Sequence, residues 1–111
     1  MSPADRSAEV FAALADPTRR EVIARLSAGG ASTASRLAEE IPVTRQAIAK
    51  HLAALEDAGL VASERVGREN RYRLTPAPMA EAVSWLTSVG AEWDERLDRL
   101  RSLLERARRM R

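Results

Sequence analysis

From Met79 to Leu104 an apolar residue or a glycine recurs at spacings of four and three without a miss: Met79, Val83, Leu86, Gly90, Trp93, Leu97, Leu100 and Leu104. A stripe with that period marks a helix that packs lengthwise along another helix. If continuous, the helix runs roughly 45 Å at ~1.5 Å per residue. A chain of 111 residues is one domain's worth of protein. What precedes the stripe is too small to cover it, so something outside the chain must bury it, and the simplest partner is the same helix of a second copy. Gly90 on the stripe permits either a kink or a close helix approach, and the sequence leaves both open.

Ahead of that helix the chain divides into short elements with clear punctuation. Asp5 to Ala15 places Val10, Phe11 and Leu14 on one helical face. Asp16 followed by Pro17 is an N-cap with proline at the first helical position, and the second helix, with Val22, Ile23 and Leu26 inward, stops at Gly29-Gly30. Thr33 caps a third helix carrying Leu37, Ala38 and Ile41, which Pro42 ends. Thr44 caps a fourth, in which Ile48, Leu52 and Leu55 repeat at i, i+4 and i+7 before Gly59. Two short helices joined by a tight turn form a helix-turn-helix. The period then becomes alternating: Val61 to Val66 and Arg71 to Leu74 flank Gly67-Arg68-Glu69-Asn70, in which Gly67 and Asn70 are suited to positive φ. This hairpin is a wing. The fold class expected is mostly α with a small β-hairpin, a winged helix-turn-helix, in one domain over 1–111: helices and wing in 5–75, a dimerisation helix in 76–111.

Composition narrows the chemistry. There is no cysteine and a single histidine, His51, which excludes disulfides, thiolate metal sites and cysteine nucleophiles. No nucleophile–base pair and no phosphate-cradling glycine loop is visible, so an enzyme is not expected. No apolar run approaches the ~20 residues of a membrane span, and the opening Met1-Ser2-Pro3-Ala4-Asp5-Arg6 has no apolar segment after its charges; the expectation is a cytoplasmic protein without membrane contact. A net charge of +2 says little, so the placement of charge carries the argument. All but one of the 18 basic residues are arginine, Lys50 being the exception, and with the many alanines this fits a GC-rich codon bias.

On the fourth helix the wheel turns Gln46, Ala49, Lys50 and Ala53 away from the apolar face, with Thr44 and Arg45 at its start. A recognition helix meets base edges with its N-terminal residues. Arg45 suits guanine and Gln46 suits adenine; Thr44 and the first-turn N–H groups suit a phosphate; Lys50 suits a phosphate or a flanking base, and the Ala49 methyl suits thymine. Any exposed helix shows polar residues of this kind, and the wing supplies the context. Arg65, Arg68, Arg71 and Arg73 crowd one short element, diluted by Glu64 and Glu69, and such a cluster neutralises phosphates. Arg68 or Arg71 could also enter a narrow minor groove. The partners expected are double-stranded DNA and a second copy of the chain, with any small-molecule effector unknown.

Other residues receive plainer readings. His51, beside the apolar face, reads as a hydrogen-bonded structural histidine. Glu92, Asp94, Glu95 and Asp98 are interleaved with Arg96, Arg99 and Arg101 at ion-pair spacings, which favours a solvated helix face over a metal site. Trp85 lies off the stripe near Val89, placed to pack on Phe11 and Leu14, and a pocket between subunits is the alternative use for it. Arg106, Arg108, Arg109 and Arg111 make a basic tail.

The stretch Phe11-Ala12-Ala13-Leu14-Ala15-Asp16-Pro17-Thr18-Arg19-Arg20-Glu21-Val22-Ile23 resembles the opening signature of ArsR-type (arsenic-repressor-like) winged-helix regulators. Thr44-Arg45-Gln46-Ala47-Ile48-Ala49-Lys50-His51-Leu52 resembles their recognition helix, and Ala58-Gly59-Leu60-Val61, Gly67-Arg68 and Tyr72-Arg73-Leu74 their helix exit and wing. The resemblance covers essentially the whole chain. It implies a homodimeric repressor on an imperfect palindrome, with the first and last helices forming the dimer; its contacts would be Phe11, Leu14, Met79, Val83, Leu86, Trp93, Leu97 and Leu100. Metal-sensing members carry cysteines around the third helix, or His and acidic ligands on the last. Arg36 to Glu40 and Glu92 to Asp98 offer neither Cys nor His, so the chain is similar to a metal-independent branch and no cofactor is expected. Ala49 stands where the family often has serine, which implies a different operator preference. The competing reading is a winged-helix module for protein–protein contact, monomeric when alone and without salt-dependent DNA affinity.

Overall fold

A computed structural model describes residues 3–110, with side chains from Arg6 onward. Five helices and one hairpin follow in the order α1 (Pro3–Leu14), α2 (Pro17–Gly29), α3 (Ala34–Glu40), α4 (Arg45–Asp57), β1 (Val61–Val66), β2 (Glu69–Leu74) and α5 (Pro76–Arg109). α1 starts at Pro3, two residues ahead of the expected Asp5. Met1, Ser2 and Arg111 of the basic tail lie outside the described residues.

The caps act where their residue types suggest. The Asp16 carboxylate accepts from the Thr18 and Arg19 N–H groups at 2.8 and 3.2 Å, satisfying donors that have no partner inside the helix. Thr33 and Thr44 accept from the N–H of Arg36 and Ala47, each at 3.1 Å. α3 ends at Glu40 because Ile41 precedes Pro42 and takes an extended conformation.

The core gathers the apolar stripe of each short helix. Val10 of α1, Val22 and Leu26 of α2, Leu37 of α3, and Ile48, Leu52 and Leu55 of α4 are buried together with Leu60, Val61 and Ala82. Gly59 closes α4 with φ +77°, and its position faces the Pro78 ring, where an added Cβ would lie 3.4 Å from Cγ. A left-handed turn against a packed ring favours glycine. The Thr75 N–H donates to the Leu60 carbonyl at 2.8 Å, so both ends of the hairpin are tied at one point.

β1 and β2 pair antiparallel from Val61↔Leu74 to Val66↔Glu69. The connection is therefore two residues, Gly67-Arg68, shorter than the four-residue Gly67-to-Asn70 loop expected. Only Gly67 takes positive φ, at +64°, and no non-glycine residue among those described does. A glycine-first turn suits the twist of a two-residue hairpin, which leaves Asn70 free to lie in β2 opposite Arg65.

α5 is continuous through Gly90 for 34 residues, which settles the open question of a kink. Its N-terminal part packs on α1: Ala82 is buried, and the Trp85 and Phe11 rings meet at 6.0 Å with a 52° tilt. Trp85 thus sits where its position off the stripe placed it. From Gly90 to Met110 every residue is exposed, and the molecule is accordingly long, 75 × 32 × 20 Å. Along this free length Val83, Leu86, Trp93, Leu97, Leu100 and Leu104 are each half or more exposed. Among the Asp/Glu–Arg pairs expected on this segment, Asp98–Arg101 forms at 3.6 Å, while Arg96 lies over the Trp93 ring at 5.4 Å.

Candidate nucleic-acid interface

α4 is held by its apolar stripe, and the helix geometry turns Arg45, Gln46, Ala49, Lys50 and Ala53 to solvent. The turn from α3, Ile41 to Thr44, is closed by the Val43 N–H to the Ile41 carbonyl at 2.7 Å. The start of α4 therefore stands at the surface beside the start of α3.

The wing comes back to the same place. Ser32, in the α2–α3 connection, exchanges both backbone hydrogen bonds with Tyr72 of β2, at 3.0 and 2.7 Å. That bridge adds a short third strand to the hairpin and fixes the wing against α3. Between them lies a groove of about 520 Å³ lined by Arg45, Gln46 and Ala49 of α4, Thr33, Ala34 and Ser35 at the start of α3, and Arg68, Glu69, Asn70 and Tyr72 of the wing. Arg45, Gln46, Ala49 and Arg68, singled out separately in the sequence, thus converge on one concavity. Arg45, Gln46, Lys50 and Arg68 carry no side-chain hydrogen bond or ion pair among the described residues, so their donors are available.

The remaining candidates lie around it. Thr44 and Lys50 are exposed next to the groove without lining it; the Thr44 hydroxyl oxygen is occupied as the cap of α4, leaving its O–H to donate. Arg65 reaches the Gly67 carbonyl at 3.4 Å and braces the wing turn. Arg71 pairs with Glu69 at 3.4 Å and faces an adjoining cleft of about 230 Å³ with Ser32, Thr33 and Arg36. Thr33, Ser35, Asn70 and Arg36 were not singled out from the sequence. Thr33 read only as a cap and Asn70 as a turn residue, and nothing local announces the Ser32–Tyr72 bridge that brings α3 to the wing.

Behind α4, His51 is half-buried, and its Nδ1 accepts from Arg19 Nε at 3.4 Å, the structural role expected. The Arg19 guanidinium also donates to the Ala13 carbonyl at 3.3 Å, so one side chain links the last turn of α1 to the recognition helix. The Asp16 carboxyl is held below the usual carboxylate value of 3.8, chiefly by the Arg19 N–H and then by that of Thr18, with the charges of His51 and Arg19 adding to the effect against a desolvation that raises it. Hydrogen bonds to the ionised form favour it. No group of three or more His, Cys, Asp or Glu side chains among the described residues is arranged to hold a metal.

A family profile described as a helix-turn-helix domain matches residues 14–64. The chain is 32% identical over 77 residues to the transcriptional repressor SdpR of Bacillus subtilis, covering 69% of this chain and 84% of that protein. An ArsR-like transcriptional regulator from Rhodococcus superposes with a TM-score of 0.80 at 47% identity, over 90% of this chain and 93% of the other. The homodimeric winged helix-turn-helix DNA-binding domain of a possible ArsR-family regulator from Mycobacterium bovis superposes with a TM-score of 0.64 at 26% identity, over 80% of this chain and 82% of its own.

Proposed function

Because the chain belongs to the ArsR-type family of winged helix-turn-helix transcription regulators, we propose that it is a homodimeric repressor that reads a palindromic operator with α4 and grips the flanking backbone with its wing. The family consists of regulators rather than enzymes. The observation that carries the reading is the groove in which Arg45, Gln46 and Arg68 meet from two elements with their donors unspent. Arg45 and Gln46, on the first turn of α4, read base edges; Thr44, Lys50, Arg65, Arg68 and Arg71 contact phosphates or the minor groove, and Ala49 packs against a base.

A second copy completes the molecule along α5. Val83, Leu86, Trp93, Leu97 and Leu100 form the interface, joined at its base by the half-buried Phe11, Leu14 and Met79, which are already partly used in the chain's own core. At Gly90 nothing within 4 Å crowds the missing side chain, so that point is open to a neighbouring helix. Residues 5–75 are then the DNA-reading part and 76–111 the dimerisation helix of one domain. Repression without a metal is supported by the sequence itself, which has no cysteine and one histidine. No helix among the described residues is long and apolar enough to cross a membrane, in keeping with a cytoplasmic regulator.

Selection of duplexes from a random pool by the purified protein tests this reading. It should enrich an inverted repeat whose half-sites lie about 10–10.5 bp apart, or a multiple of that. Enrichment of a single unrepeated site would contradict the dimeric reading, and no enrichment would favour a protein-binding winged helix.

A further inference from the structure

We propose that Arg36 and Arg71 form the seat of one DNA-backbone phosphate at the outer end of the groove, with Glu69 as the counter-ion that the phosphate displaces. The inference rests on the reading that the molecule binds duplex DNA, and it adds a contact from α3 that the helix-turn-helix pattern does not indicate.

Thr33 and Glu69 line both the 520 Å³ groove and the 230 Å³ cleft, so the two concavities are continuous. A strand whose bases face Arg45 and Gln46 is led past Arg68 and into the cleft between α3 and β2. There Arg36 and Arg71 approach from different elements. Arg36 makes no ion pair among the described residues, and the acid one turn further on, Glu40, is engaged by Arg25 at 4.0 Å. The backbone in the cleft is already spent: Ser32 is bridged to Tyr72, and the Arg36 N–H is bound by Thr33. An anion in the cleft is therefore held by guanidinium groups and by the Ser32 and Thr33 hydroxyls. Guanidinium groups match phosphate oxygens in geometry as well as charge.

Glu69 is the one carboxylate lining the cleft, and its Oε2 lies 3.4 Å from Arg71 Nε. Both side chains are about half exposed, which makes the pair weak and easily exchanged. In the free protein Glu69 occupies Arg71; on DNA a phosphate oxygen replaces it, and the carboxylate then repels the backbone. Glu69 thus lowers affinity for every duplex alike.

The test is titration of a selected operator duplex and a scrambled duplex by fluorescence anisotropy over a series of salt concentrations. Arg36→Ala should reduce the slope of log affinity against log salt by about 0.9 on both duplexes, the value for one phosphate contact, with the ratio of the two affinities unchanged. Arg36→Lys should restore most of the slope, and Glu69→Gln should strengthen binding to both. Arg36 is exposed, so the thermal midpoint of Arg36→Ala should match wild type. A wild-type slope in Arg36→Ala overturns the seat, as does a loss confined to the operator, which would make Arg36 a base reader. If the wild-type protein binds neither duplex in a salt-dependent way, the DNA reading itself fails and the seat with it.

Discussion

Replacing Leu97 and Leu100 together by alanine should separate the dimer while leaving each protomer folded. The two side chains are 51% and 53% exposed in the single chain and touch nothing of its body. Full burial of a leucine contributes about 2 kcal/mol, and the helix itself already covers half of each, so the partner supplies roughly 1 kcal/mol per side chain. Symmetry places four such leucines in the dimer, which brings the loss to about 4 kcal/mol, or roughly a thousandfold in the dissociation constant. Sedimentation equilibrium over a range of loading concentrations reads that constant, and far-UV circular dichroism confirms that the helices remain. Leu103 is the control. It is 60% exposed and as apolar, yet it lies off the four–three stripe; Leu103→Ala should change the constant less than about tenfold. An unchanged constant in the double variant, or an equal effect from Leu103→Ala, would refute the assignment of the stripe as the interface.

Other expectations follow from the same contacts. Arg45→Ala should cost about 1–3 kcal/mol of specific binding and relax preference at one base position; equal losses on all sequences would remove it from base readout. Arg71→Ala should weaken every duplex alike and lower the salt slope by about one. Asp16→Ala should lower the melting temperature at neutral pH. Because the folded carboxyl titrates below its ordinary value, its stabilisation is complete above that value and is lost as pH falls through the depressed one, so the gap between variant and wild type should close in acid. A gap independent of pH would refute the ionised cap. Gly59→Ala should destabilise the fold by about 1–2 kcal/mol in denaturant titration, the cost of a left-handed backbone with a Cβ, and its close approach to Pro78 adds to this.

Much of this architecture is legible in local chemistry. Asp16, Thr33 and Thr44 mark helix starts because their side chains satisfy N–H groups at the next turn, and Pro42 marks a stop because it restricts Ile41. The α5 period survives in the structure because a continuous helix keeps it. What local chemistry does not reveal depends on contacts between distant segments. The wing turn is shorter than its composition suggests: one glycine is enough for a two-residue turn, and Asn70 goes into the strand. Met79 belongs to the stripe by spacing, yet it is half-buried against the body, because the first turns of α5 serve α1 and the core. The groove residues from α3 stay hidden for the same reason, since the Ser32–Tyr72 bridge joins segments that no short-range pattern connects.

The central claim, a sequence-specific DNA-binding dimer, is tested most directly by titrating the protein against its own upstream promoter and a scrambled duplex at two salt concentrations. Promoter affinity about a thousandfold above the scrambled control, falling steeply with salt, is the predicted result. Weak, equal and salt-insensitive binding to both would contradict it.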